Sequence, residues 1–205
     1  MRDMDGPTSY FFNLESCKSR SKQIISLRPP DGPLTSDPAE MRQLAVGFYS
    51  DLFTASSCDQ GLTNELLQGL PHLDDAESAA LDTEITLDEL TAAVGQMALG
   101  RSPGLDGLPV EFYRRLWDLL GRDLCGVLQE CSRTGLLLVL CRRAVLSLLP
   151  KKGDLTLLKN WRPVALLCTD YKLLSKVLVN RLKTVMPDLI QRDQSYCVPG
   201  RTIYF

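Results

Sequence analysis

Apolar residues recur every three or four positions along much of this chain, which is the spacing of amphipathic helices. With their start and stop signals, these patterns predict five helical segments: Pro38–Phe53, Leu62–Leu67, Thr86 to about Gly100, Val110–Ser132 and Tyr171–Val185. Thr86 opens the third with T-L-D-E, a capping-box pattern. The last segment is expected to bury its leucines and valines, with Lys172, Lys176, Arg181 and Lys183 mostly outside.

Two compact apolar runs predict buried strands at Ala144–Leu149 and Val164–Cys168. The first ends in the basic turn Pro150-Lys151-Lys152-Gly153-Asp154. A short hairpin is predicted where Gln23–Leu27 and Leu34-Thr35 flank a turn rich in proline and glycine. These elements predict an α+β fold that is mainly helical, with an N-terminal extension over residues 1–60 and a second region over residues 61–205.

Composition is that of an ordinary globular protein. Hydrophobic residues make up 44% of 205 positions, enough for a sizeable core in one or two domains. No window of eighteen apolar residues predicts a membrane span, and Met1–Gly6 does not begin a secretory signal. We therefore expect an intracellular protein without membrane association, and the sequence leaves open whether it is nuclear or cytoplasmic.

The cysteine pattern argues against a zinc site. Seven cysteines include no C-x-x-C pair, and His72 is the single histidine. Cys125, Cys141 and Cys168 lie within apolar runs, where we expect buried thiols. The sequence thus predicts no metal site.

Charge is distributed unevenly. Residues 1–141 hold 11 Lys+Arg against 21 Asp+Glu, whereas residues 142–205 hold 12 against 4, so the two parts carry −10 and +8. Positive charge concentrated on part of an acidic chain is typical of an anion or nucleic-acid footprint. A solvated basic surface without a partner is the alternative that charge alone leaves open.

Three basic positions are candidates for phosphate contacts. Lys151 and Lys152 end a strand beside a glycine, where ammonium groups and free N–H groups can meet phosphate. Arg162 stands between an aromatic residue and a proline, and its planar fork suits bidentate binding. Arg201 ends a Pro-Gly-Arg turn. Each signal is weak alone, and their order along the chain is what makes them informative.

Long strings around these positions resemble the reverse transcriptases of LINE-type (non-LTR) retrotransposons. They are S-P-G-L-D-G-L-P-V-E-F-Y (102–113), L-L-P-K-K-G-D (148–154), N-W-R-P-V-A-L-L (160–167), D-Y-K-L-L-S-K-V-L-V-N-R-L-K (170–183) and D-Q-S-Y-C-V-P-G-R (193–201). Upstream, residues 10–15 and 37–53 resemble the stretch between endonuclease and polymerase in such proteins. The resemblance implies the fingers part of a right-hand polymerase, preceded by a helical extension.

The resemblance also implies RNA-directed DNA synthesis with an RNA template, a DNA primer and dNTP as partners. Lys151 and Arg162 would contact the nucleotide triphosphate, and Lys152 could take the place of its neighbour. Asn180, Arg181 and Arg201 would lie along the nucleic-acid template or brace the fingers. Mg²⁺ is expected for the complete parent enzyme and no cofactor for this chain.

No catalytic residue is predicted in the chain itself. Its remaining acids, among them Asp106, Asp154, Asp170 and Asp193, occupy scattered turns and caps, and the catalytic aspartates of the family would follow Phe205. We therefore expect a fragment that is inactive alone and has exposed apolar patches. A non-catalytic RNA- or template-binding module and an inert gene fragment are the alternatives, and the oligomeric state is left open.

Overall fold

A computed structural model describes residues 23–191 together with 193, 194, 198, 200 and 201. Backbone packing divides the described residues into two compact units, the first formed by residues 23–57 and 146–164 and the second by residues 58–145 and those from 165 onward. Packing thus groups residues 146–164 with the N-terminal segment, whereas the predicted division at residue 60 follows the sequence. None of the helices in the described part of the chain combines the length and the apolar character that a bilayer crossing requires.

The first unit contains helix α1, Pro38–Phe53, with the bounds that its sequence predicts. The Asp37 carboxylate accepts the N–H of Glu40 at 2.9 Å and so satisfies one of the free donors at the start of the helix. The predicted hairpin is present as an antiparallel bridge between Leu27 and Thr35. Leu27 is 1% exposed and anchors this bridge in the unit.

The two predicted strands pair in a two-stranded sheet. Strand β1 is Ala144–Pro150, strand β2 is Trp161–Leu167, and a 3-10 turn, Leu158–Asn160, precedes β2. The expectation that β1 is buried is wrong, since Leu146 and Leu149 are 44% and 42% exposed. Two strands cover little area, so apolar side chains on both faces remain accessible to solvent.

The second unit is helical. Its elements are α2 (Gln60–Leu67), α3 (Asp75–Leu81), α4 (Leu87–Gln96), α5 (Val110–Arg115), α6 (Trp117–Thr134) and α7 (Thr169–Leu189). Helix α3 lies in a stretch for which the apolar pattern predicts no element, and a capping box between Asp74 and Glu77 starts it. The single helix predicted over Val110–Ser132 is divided at Leu116, whose φ and ψ of −109° and 17° interrupt the helix.

Helices α4, α6 and α7 supply most of the core of the second unit. Its buried members are Ile85, Leu90, Ala93, Val94, Tyr113, Cys125, Leu128, Leu173 and Val177. Cys125, Cys141 and Cys168 are buried free thiols, as predicted, whereas Cys17 and Cys197 lie outside the described residues. The apolar run Leu136–Leu140 follows α6, and four of its members are exposed: Leu136, Leu138, Val139 and Leu140.

The proline- and glycine-rich segment 101–109, called here the docked loop, is held against the start of α7. The Thr169 hydroxyl donates to the Leu108 carbonyl at 2.7 Å, and the Lys172 ammonium donates to the Ser102 carbonyl at 2.9 Å. Gly104 lies so close to the Cys168 backbone that a Cβ at this position would overlap it. These contacts fix Asp106, in the middle of the loop, beside the first residues of α7.

Candidate nucleic-acid interface

The segment that joins the two strands, residues 151–160, is called here the basic turn, and it is held by its own hydrogen bonds. The Lys151 N–H donates to the Asn160 carbonyl at 2.8 Å, and the Asn160 side-chain amide donates to the Asp154 carbonyl at 2.8 Å. Gly153 has φ of +115°, a backbone conformation that glycine adopts without steric cost. The turn is therefore a defined scaffold for its lysines.

The Asp154 carboxylate is committed to the turn. One of its oxygens accepts the N–H and the hydroxyl of Thr156 at 2.9 and 2.7 Å, and these bonds lower the pKa of Asp154, with a smaller contribution from the charge of Arg28. The Arg28 N–H donates to the Thr156 carbonyl at 2.8 Å. Arg28 is thus a further exposed cation beside the turn, which sequence reasoning missed because the two are distant along the chain.

Trp161 anchors the start of β2. Its side chain is 2% exposed, and its indole N–H donates to the Leu155 carbonyl at 2.9 Å. The Tyr49 hydroxyl of α1 donates to the Trp161 carbonyl at 3.3 Å, and burial raises the pKa of Tyr49. Because Trp161 is fixed at both ends, the position of the next residue, Arg162, is fixed as well.

The strand register follows from these bonds. Both strands have seven residues, and the Lys151–Asn160 bond continues their pairing by one step, so Leu149 lies opposite Arg162. Pro163 is then at a position whose nitrogen faces away from β1, where the missing N–H removes no ladder bond. This register explains why a proline is tolerated in β2.

Alternation along the strands sorts their side chains onto two faces. Leu146 and Leu148 line an open groove of about 490 Å³ with residues of α1, among them Tyr49 and Phe53, so α1 lies on the side of the sheet that carries these two leucines. Leu149 and Arg162 therefore lie on the opposite face. Because Lys151 continues the pairing of β1, it is on the same face as Arg162, whereas Lys152 is displaced from it by one residue.

The structure places the candidate residues in two groups. Lys151, Lys152 and Arg162 are exposed and belong to the first unit, whereas Asn180, Arg181 and Arg201 belong to the second. Asn180 is half-buried on α7. That these residues contact nucleotide or nucleic acid remains a prediction. The two arginines of the second unit have hydrogen-bond partners inside the protein, which the sequence did not indicate.

Arg181 points inward, so its expected place on the outer face of α7 is wrong. Its side chain is 11% exposed and forms a two-bond ion pair with Glu89, at 2.6 and 2.8 Å. The remaining guanidinium donors bind three backbone carbonyls between α3 and α4: those of Leu81, Thr83 and Glu84. This side chain braces the second unit, because its donors are all used inside the protein.

Glu89 should make stability of the second unit depend on acid pH. The Arg181 guanidinium, together with the Thr86 N–H and hydroxyl, lowers the pKa of Glu89 from 4.5 to about 2. The stabilisation is therefore present above pH 4.5 and is lost as the pH falls from about 5 to about 2. We expect Glu89→Gln, which retains a capping-box residue, to flatten this part of a stability–pH curve measured by urea unfolding. An unchanged slope in this variant would contradict the assignment.

Arg201 has a comparable internal role at the other end of α7. Its guanidinium donates to four carbonyls at the last turn and beyond: those of Pro187, Ile190, Gln191 and Gln194, at 2.5–2.9 Å. A cation at a helix C-terminus is also favourable to the helix dipole. Of the string 193–201 that carries the family resemblance, Pro199 and residues 195–197 lie outside the described residues, as do residues 10–15.

Comparison with known proteins gives the origin of the chain. No protein-family model matches it. It is 49% identical over 202 residues to the transposon TX1 uncharacterized 149 kDa protein of Xenopus laevis, an alignment that covers 98% of this chain and 15% of that protein. The chain is a homologue of transposable-element proteins.

A second relative agrees with this origin. Over 102 residues the chain is 28% identical to a putative 115 kDa protein in the type-1 retrotransposable element R1DM of Drosophila melanogaster, covering 49% of the chain and 10% of that protein. Together the homologues support a LINE-type, non-LTR element as the source of the sequence. The chain spans less than a sixth of either relative, so the activity of the longer protein is a matter for proposal.

Proposed function

We propose that this chain is the nucleotide- and template-contacting fingers part of an RNA-directed DNA polymerase of a LINE-type retrotransposon. The observation that supports the proposal is the strand register, from which Lys151 and Arg162 fall on one face of the strand pair, opposite the side on which α1 lies. Two cations held by a fixed turn and a fixed strand suit the phosphates of an incoming dNTP or of a primer–template. Arg28, Lys152 and Lys159 add exposed positive charge in the same unit.

The basic turn holds one carboxylate, that of Asp154, which is fewer than nucleotidyl transfer with two Mg²⁺ ions requires. A site for two Mg²⁺ ions needs clustered carboxylates as hard oxygen ligands. Asp154 is the acid of the basic turn, and its bonds to Thr156 hold it within the turn. Polymerisation is therefore proposed for the longer protein, and binding is the part that this chain can perform.

A titration with a labelled RNA–DNA primer duplex tests the proposal. We expect the purified chain to bind the duplex, and the variant Lys151→Ala with Arg162→Ala to bind at least roughly tenfold more weakly, because each charge-assisted hydrogen bond that is removed contributes about 1.5–3 kcal/mol. Measured at two salt concentrations, the slope of log affinity against log salt should fall by about 1 for each phosphate that the variant no longer binds.

A charge-matched control separates this face from general electrostatic attraction. Arg115 and Arg122 are exposed cations of the second unit, so Arg115→Ala with Arg122→Ala removes the same charge elsewhere. This control should retain most of the affinity, and Lys152→Ala should weaken binding less than Lys151→Ala. Equal losses in the two double variants would refute a specific interface, and the absence of any binding at low salt would favour an inert fragment.

A non-catalytic RNA-binding module is the second candidate, since the same exposed cations could hold a nucleic-acid backbone without a nucleotide. Titration with dNTP alone distinguishes the two. The fingers proposal expects dNTP binding that depends on Lys151 and Arg162, whereas a template-binding module binds the nucleic acid only.

A further inference from the structure

A cluster of thiols and carboxylates lies in the second unit, apart from the basic turn. Asp106 of the docked loop, Cys168 just after β2 and Asp170 in the first turn of α7 each offer one possible ligand atom, and these three atoms lie within 4.8 Å of one another. The Cys141 thiol borders this group, since it donates to the Asp170 Oδ2 at 3.4 Å, but its sulfur is not among the three atoms that lie within 4.8 Å of one another. The docked loop, held by Thr169 and Gly104, is what brings Asp106 to the others.

The state of the Cys168 side chain is evidence that this cluster binds a ligand. The residue is 0% exposed, and within the described residues its sulfur has no hydrogen-bond partner, although it faces two carboxylates. The Cys125 thiol, by comparison, donates to the Ile85 carbonyl at 3.7 Å. A buried thiol aimed at oxygen ligands without a bond of its own is suitably placed for coordination.

The charges of the cluster also favour a cation. In the part of the chain that the structure describes, neither Asp106 nor Asp170 forms a salt bridge, so two carboxylates stand close together without a neutralising partner. The hydroxyl of Tyr113 lies nearby, and burial followed by the charges of Asp170 and Asp106 raises the pKa of this tyrosine. A divalent cation would neutralise both carboxylates at once.

We propose that Asp106, Cys168 and Asp170 form a structural Zn²⁺ site that ties the docked loop to the start of α7, with Cys141 turning in from its contact with Asp170 as the fourth ligand. Zinc accepts both thiolate sulfur and carboxylate oxygen in a four-ligand tetrahedron, whereas Mg²⁺ and Ca²⁺ select oxygen ligands alone. With Zn–S near 2.3 Å and Zn–O near 2.1 Å, the ligand atoms of a tetrahedral site are roughly 3–4 Å apart, so the three grouped side chains need a small inward movement. Cys141 must exchange its bond to Asp170 for a bond to the metal.

Binding exchanges protons for metal. Zn²⁺ forms two Zn–S bonds and the two thiols release two protons to solvent, so the affinity falls as the pH is lowered. The site is independent of the basic turn, and its test does not depend on nucleic-acid binding.

Metal titration of the full, reduced chain tests the site. Co²⁺ is the spectroscopic probe, because tetrahedral thiolate coordination gives a sulfur-to-cobalt charge-transfer band and strong visible absorption. We expect these bands to saturate at one Co²⁺ per chain, and Zn²⁺ to displace the Co²⁺ and raise the melting temperature. Asp106→Asn and Cys168→Ser should weaken Zn²⁺ binding by more than about 100-fold, since changes in the outer shell alone cost about 10–100-fold.

The controls keep the test decisive. Cys58→Ser removes an exposed thiol outside the cluster and should leave the titration unchanged. Asp106→Asn retains an oxygen that can accept the Leu108 N–H, now held by the aspartate at 3.1 Å, so this variant should fold even where Cys168→Ser does not. A folded chain without a thiolate band, or stoichiometric binding that survives Asp106→Asn, would overturn the proposal.

Discussion

Replacing Gly104 by alanine is expected to lower the free energy of unfolding by roughly 2–4 kcal/mol, because the added methyl group has no space. An ideal Cβ at this position would lie 2.6 Å from the carbonyl carbon of Leu167 and from the Cα of Cys168. Both are backbone atoms, so either the docked loop or the end of β2 must move. Urea unfolding measures the loss, and faster trypsin cleavage after Arg101 would locate it in the loop.

Gly95→Ala is the matched control. Gly95 lies inside α4 with no atom within 4 Å of an added Cβ, so alanine should stabilise the helix there by about 0.5–1 kcal/mol. The two substitutions are chemically identical and should have opposite signs. If Gly104→Ala proved as stable as Gly95→Ala, the close approach of the loop to Cys168 would be wrong.

Replacing Arg181 by methionine is expected to cost about 3 kcal/mol of stability. The change keeps the aliphatic part of the side chain but removes the ion pair with Glu89 and the donors to three backbone carbonyls. The loss is large because the guanidinium is mostly buried, so water replaces these bonds poorly. Chemical unfolding of the variant measures it directly.

A double-mutant cycle isolates the ion pair from the carbonyl contacts. Glu89→Gln alone, Arg181→Met alone and the double variant should give a coupling energy within about 0.5–3 kcal/mol. Arg133→Met provides the exposed comparison, since the pair of Arg133 with Glu130 is 74% and 57% exposed and should contribute less than about 0.5 kcal/mol. A similar small effect at Arg181 would show that its bonds are not formed in solution.

The sequence predicts α1 and the strand pair well because the capping residues, the turn residues and the apolar spacing indicate the same elements. The bounds of α1 follow from Asp37, Pro38 and a regular apolar stripe, and the structure has the same bounds. The strand pair follows from the apolar runs Ala144–Leu149 and Val164–Cys168, which are separated by a segment with a turn-forming glycine, although β2 begins earlier than predicted, at Trp161. In these places the information needed lies within one or two helical turns of the residue concerned.

The sequence alone could not predict the direction in which a side chain points or its contacts with residues far away along the chain. A basic residue on an amphipathic helix is ordinarily external, but Arg181 turns inward because Glu89 and three carbonyls receive it from another part of the chain. In the same way, spacing rules do not indicate that Asp106 lies beside Cys168 and Asp170, because it is more than sixty residues away in sequence and meets them only in the folded unit. Such a group of side chains can be recognised only when the position of the docked loop in the fold is known.

The exposed run Leu136–Leu140 has a consequence for the chain before it folds. Five consecutive apolar residues without charge or proline are the kind of window that stacks into cross-β assemblies when unfolded chains meet. Arg142 and Arg143 follow almost at once, and adjacent positive charges act as gatekeepers against such stacking. Two arginines with no part in the fold's core can therefore set how much newly synthesised protein reaches its native state rather than an aggregate.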